Sequence, residues 1–155
     1  MGVTIHYSGQ LKDARRMDRL LAFVREFVSS HEWTLEIIPG KNDSVCSGFV
    51  VLPHHQCEPL RIEFGPRYRF QDWVKTQFAG PETHIEVIRF LKQIQPILGQ
   101  LRVRDEGEYW ETGDEETLRG HLGQINEVIA EMIAGSPGAR SQVREPNGHI
   151  ADLIQ

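Results

Sequence analysis

Seven carboxylates crowd into residues 105 to 116, read as Asp-Glu-Gly-Glu-Tyr-Trp-Glu-Thr-Gly-Asp-Glu-Glu, with no base among them. Like charges this dense repel one another and work against a compact state unless something offsets them. Tyr109 and Trp110 sit inside the run, where aromatic rings can meet cations through their π faces or anchor a protein partner. Asp105, Glu106, Glu108, Tyr109, Trp110 and Glu111 are therefore candidate partner-binding residues. Carboxylates at a strand end could also hold Mg²⁺ or act as a general acid and base. The plainer use of Glu115 and Glu116 is to favour the positive N-terminus of a following helix.

A second group is Lys75, Gln77 and His84. In the run Trp73-Val74-Lys75-Thr76-Gln77-Phe78-Ala79-Gly80, Lys75 and Gln77 alternate with apolar or small residues. They share a face of an extended chain and can present donors to a ligand, while the helix opening near Pro81 offers free N–H groups to an anion. The phosphate-loop spacing Gly-x-x-x-x-Gly-Lys does not occur. Read structurally, Trp73 and Phe78 fill the core of a connecting segment.

His54-His55-Gln56-Cys57, with Cys46 eleven residues before Cys57, is the third group. Thiolate and imidazole suit zinc, and a histidine can activate a thiol. The spacing fits no zinc pattern, and no third residue is marked to orient a base. Gly-x-Ser-x-Gly and His-Glu-x-x-His are both missing. The sequence therefore calls for no metal and no cofactor, and names no catalytic residue.

These residues need elements to position them. Val3, Ile5 and Tyr7 alternate with polar residues as in a half-buried strand ending at Ser8-Gly9-Gln10. Met17, Leu20, Leu21, Val24, Phe27 and Val28 recur at helical spacing behind Asp13 as cap, and the helix is over by Ser29 or Ser30. Leu35 to Ile38 is a short strand, closed by Pro39-Gly40 and a polar loop, Lys41 to Ser44. Phe49 to Leu52 is apolar on both faces and predicts a central strand. Leu60, Ile62 and Phe64 follow across a Pro53–Pro59 turn. Tyr68 and Phe70 mark an edge strand or an extended loop.

A second helix starts near Gly80-Pro81, with Ile85, Ile88, Leu91, Ile94 or Gln95, and Leu98 inward and Pro96 kinking or ending it. Leu101 and Val103 lead a strand into the acidic run. A third helix starts after Thr112 or Asp114, with Thr112 and Glu115 spaced as a capping box and Leu118, Leu122, Ile125, Val128 or Ile129, and Met132 inward. The order predicts an α+β fold: a mixed, largely antiparallel sheet of about five strands with three helices on it, a ferredoxin-like variant being one topology. Residues 1–134 are expected to form one domain. Residues 135–155 read as a flexible tail whose Ile150–Ile154 patch docks on the body or a partner.

The chain has 155 residues, 39% apolar and 25% charged, which is ordinary globular composition. Outside the acidic run 15 acids meet 17 Lys and Arg, so the net −5 is local. This argues against nucleic-acid binding, which needs a basic stripe. No apolar stretch approaches the roughly 20 residues of a membrane span. The first ten residues lack a signal core, which predicts a cytoplasmic chain.

The strings Val74-Lys75-Thr76-Gln77-Phe78-Ala79-Gly80 with His84, and Asp105-Glu106-Gly107-Glu108-Tyr109-Trp110-Glu111-Thr112, together resemble an uncharacterised family of small bacterial α/β proteins, some immunity-type. The resemblance spans about residues 1 to 132. It implies a bacterial, cytosolic setting and carries no active-site residue with it. The expectation is a protein–protein interaction module, most concretely an immunity-type inhibitor whose acidic aromatic surface meets the basic cleft of a toxic enzyme. The alternative is a small enzyme or ligand-binding protein with an acidic site able to take a divalent cation. A homo-oligomer built by tail exchange stays open.

Overall fold

A computed structural model describes residues 3–40 and 46–152, with only the backbone of Cys46. Strand β1 (Thr4–Leu11) puts Ile5, Tyr7 and Leu11 on its buried face and His6, Ser8 and Gln10 on the other. It lies between β5 (Arg69–Lys75) and β6 (Gly99–Asp105), antiparallel to both. The strand does not end at Ser8-Gly9-Gln10. Gly9 is a packing position, where an added Cβ would lie 2.4 Å from the Gln100 carbonyl oxygen and 2.8 Å from the Phe70 ring.

Helix α1 (Met17–Ser30) buries Leu20, Leu21, Val24, Phe27 and Val28, the spacing of its apolar stripe. Asp13 caps the tight turn before it by accepting from the Arg15 N–H. The strands β2 (Thr34–Pro39), β3 (Cys46–Leu52) and β4 (Leu60–Glu63) form a second antiparallel sheet with β3 central. Phe49 and Val51 of β3 are fully buried on one face, whereas Val50 and Leu52 on the other are only half-buried, so the strand is central but not covered on both sides. The polar loop Lys41 to Ser44 lies outside the described residues.

Helix α2 (Pro81–Leu98) crosses from β5 to β6. Those two strands are parallel to each other because each is antiparallel to β1. This is one split βαβ half of the ferredoxin-like arrangement; the other crossover, through α1, leads into the second sheet instead. Pro96 does not end α2. It stands in the last turn, where only one helical bond is lost, and the helix stops at left-handed Gly99. The terminal carbonyls find other donors: Arg16 reaches Pro96 and Ile97, and the Lys12 N–H meets Leu98 at 2.9 Å.

The two sheets meet along β4 and β5. Backbone bonds close the ends of this seam, Glu58 N–H to Lys75 and Gly65 N–H to Arg69. Between them the buried Tyr7 hydroxyl donates to the Arg61 carbonyl at 2.7 Å and accepts from the Arg61 N–H at 3.1 Å. Burial, with Asp72 nearby, pushes the Tyr7 phenol well above its usual pKa, so it stays a donor.

Helices α3 (Tyr109–Thr112) and α4 (Glu115–Gly135) follow β6. Asp114 caps α4, accepting from Glu116 N–H. The expected Thr112–Glu115 box does not form, because Thr112 belongs to α3 and its hydroxyl donates to the Glu108 carbonyl. Leu118 and Leu122 are buried, but Met132 is exposed.

The architecture is α+β, helices over antiparallel sheets. Residues 135–155 do not behave as a flexible tail where they are described. β7 (Val143–Arg144) and β8 (Ile150–Ala151) pair as a hairpin, and Ile150 is buried against the same chain. The reason is polar as well as apolar: buried Glu58 accepts from the Ile150 N–H, and Lys75 Nζ lies 2.7 Å from the Ile150 carbonyl and 2.8 Å from Asp152. Leu153 and Ile154 lie outside the described residues. Among the described residues no helix is long and apolar enough to cross a membrane.

Candidate functional site

The acidic segment does not form one outward surface. Asp105 ends β6 on its inward face, and its side chain is wholly buried. One carboxylate oxygen accepts from Gly107 N–H at 2.8 Å; the other accepts from Tyr109 and Trp110 N–H at 2.9 and 3.0 Å. Burial pushes its pKa up, and His84 together with these backbone donors more than reverses that, leaving it below the usual carboxylate value. Asp105 thus organises the turn that launches α3, and its placement on a partner-binding face is corrected.

The remaining acids are partly paired. Glu106 lies 3.1 Å from His6, and Glu108 lies 2.7 Å from His121. Glu115 meets Arg119, which also reaches Glu82. Tyr109 and Trp110 are half-buried against the core, and Lys92 stands 5.2 Å over the Trp110 ring. Glu111 and Glu116 stay exposed, without a cation at ion-pair distance among the described residues.

The enzyme alternative requires the acidic strand end and the Lys-Thr-Gln segment to meet, and they do. His84 Nε2 lies 3.0 Å from Asp105, and its Nδ1 lies 2.6 Å from the Thr76 hydroxyl. With its proton on Nε2, His84 donates to Asp105 and accepts from Thr76. The order hydroxyl, imidazole, carboxylate is that of a nucleophilic relay. Yet neither Thr76 nor the His84 or Asp105 side chain has any solvent-exposed surface, so no substrate reaches the hydroxyl. The network satisfies buried polar groups instead.

Gln77 is also buried, accepting from Val3 N–H at 2.8 Å. Lys75 is held by Ile150 and Asp152. Of the three ligand-binding candidates, Gln77 and His84 are thus core residues and Lys75 anchors the C-terminal hairpin. The sequence could not separate these uses, because alternation gives a face but not what covers it.

Cys57 is buried, and burial pushes its thiol pKa upward, the opposite of an activated nucleophile. His54 and His55 stack on each other at 4.2 Å. Among the described residues no group of three or more His, Cys, Asp or Glu is placed to hold a metal ion.

The surface that sequence reasoning missed is the outer face of β5–β1–β6. Its registers place Trp73, His6 and Arg104 in one row and Gln71, Ser8 and Arg102 in the next, with Arg69, Gln10 and Gln100 in a third. Shallow cavities of about 450 and 480 Å³ lie along it. Arg69, Arg102 and Arg104 are exposed. None has a carboxylate at ion-pair distance among the described residues. Trp73 is 43% exposed, and its indole lies flat on His149 at 4.2 Å and 11°. The signal was present as polar residues alternating within β1, β5 and β6, but only the pairing of the three strands assembles it. Comparison with protein-family models, with curated proteins and with solved structures finds no match for the chain.

Proposed function

We propose that the protein is a non-catalytic interaction module that receives an anionic partner on the outer face of β5–β1–β6. One observation carries this: three exposed arginines on one sheet face, with an exposed tryptophan and no acid in the three rows. Antiparallel sheets tolerate one wet face, so openness alone is ordinary. Guanidinium groups with no carboxylate at ion-pair distance among the described residues are a stronger sign, since their planar donor forks match phosphate and carboxylate. The net −5 concealed this, because it averages a cationic face with an acidic ridge on α3 and the start of α4. A cytosolic setting belongs to the same proposal, supported by the free, buried thiol of Cys57.

A second reading keeps the acidic aromatic surface as an immunity-type contact for a basic protein. Exposed Glu111, next to Trp110 in the chain, and exposed Glu116 favour it. The discriminating experiment measures retention on immobilised long-chain polyphosphate and on an immobilised polylysine. Under the first reading, Arg102→Glu with Arg104→Glu abolishes polyphosphate binding, and Glu111→Lys with Glu116→Lys leaves it intact. Binding to polylysine alone, lost in the Glu→Lys pair, would transfer the function to the ridge.

A further inference from the structure

We infer that the anionic partner is a single-stranded nucleic acid, with a base stacked on Trp73 and phosphates held by Arg102 and Arg104. This rests on the reading of the open face given above. The three rows span ~14 Å along the strands and ~10 Å across them, from strand rise and spacing. That is room for two or three unstacked nucleotides, the number a flat sheet can display.

Charge alone would suit any polyanion. The indole narrows the choice. Trp73 points from β5 into a polar surface, borders the cavity shared with His6, Arg102, Arg104 and the single acid Asp72, and is braced by the flat contact with His149. An aromatic ring kept exposed and held rigid gains nothing from a carboxylate or a bare phosphate. It gains from a base, because every base has a π face. Ser8, Gln71 and Gln100 supply neutral donors and acceptors between the arginines, suited to base edges and not needed for phosphates. A paired duplex is disfavoured, since its bases are already stacked and a flat sheet face cannot enter a groove as a helix or ribbon does. Glu106 touches His6, and its charge bounds the site on that side.

The test is fluorescence anisotropy with labelled 12-mers of oligo-U and oligo-dT, with a duplex, a polyphosphate and a polyglutamate as comparison ligands, over a salt series. Both single strands should bind better than the duplex and the polyglutamate. Two to three phosphate contacts give a slope of log affinity against log salt of about −1.4 to −2.1, and Arg102→Ala or Arg104→Ala each removes about 0.7 of it. Trp73→Ala should weaken oligonucleotide binding roughly 5- to 150-fold. Trp73→Phe should keep most of it, and neither variant should change polyphosphate binding. Circular dichroism melts check that the variants fold. Oligonucleotide binding that ignores both Trp73 variants, or a duplex or polyglutamate bound as tightly, overturns the inference while leaving the anionic face standing. Failure of every polyanion to bind overturns both.

Discussion

Asp105→Ala tests the central assignment of the site, because it separates a surface acid from a buried organiser. The carboxylate accepts four bonds: from Gly107, Tyr109 and Trp110 N–H and from His84 Nε2. Each bond to a charged acceptor is worth about 1.5–3 kcal/mol, and a buried donor left unmet costs about 1–3 kcal/mol. These terms overlap, and water can reach the half-buried start of α3. The expected loss is therefore about 3–5 kcal/mol, less than the plain sum of those bonds. At a urea dependence of about 2 kcal/mol per molar, the unfolding midpoint should fall by about 2 M.

Asp105→Asn discriminates further. Turned so that its oxygen takes the three-donor position, the amide conflicts with the Gly107 N–H alone, and about 1–3 kcal/mol is lost. Because the folded-state pKa is depressed below 3.8, the wild-type contribution is complete above that value. It drains as pH falls through the folded pKa. The stability gap between wild type and Asp105→Asn should thus narrow in acid below about pH 4. The readout is urea unfolding followed by tryptophan fluorescence from pH 3 to 7. A loss under about 0.5 kcal/mol for Asp105→Ala, typical of a surface change, would refute the buried role.

Further expectations concern the same core. Gly107→Ala would place a methyl 2.7 Å from Leu118 and 3.1 Å from the His84 ring; overpacking of this kind should cost about 1–3 kcal/mol by urea unfolding. Tyr7→Phe removes the hydroxyl that serves both backbone groups of Arg61, and the same assay should register a loss of about 1–3 kcal/mol. Cys57 should resist iodoacetamide in the native protein and react after unfolding, as mapped by mass spectrometry, since burial raises its thiol pKa. Ile150→Asp should release the C-terminal hairpin from Glu58 and Lys75, detected as new proteolytic cleavage after Gly135 with the rest of the domain intact.

Much of the fold was legible in advance. The stripe of α1 and the alternation of β4 each follow from a period that one buried face imposes, whatever that face packs on. Where local signals erred, a distant contact decided. Gly9 read as a strand end because nothing nearby reveals the Phe70 ring above it. Residues 143–152 read as loose because their anchor, Glu58, is some ninety positions away.

The candidate residues divided in the same way. The sequence by itself determined that chemistry-bearing groups cluster at 75–84 and 105–116, and that acidic charge is concentrated in the second stretch. Only the tertiary structure decided that Asp105 and His84 face each other in the core, and that arginines from two separate strands stand together on an open sheet. The physical reason is that periodicity assigns each side chain to a face of its own element, whereas strand pairing and burial determine which faces meet and which remain wet.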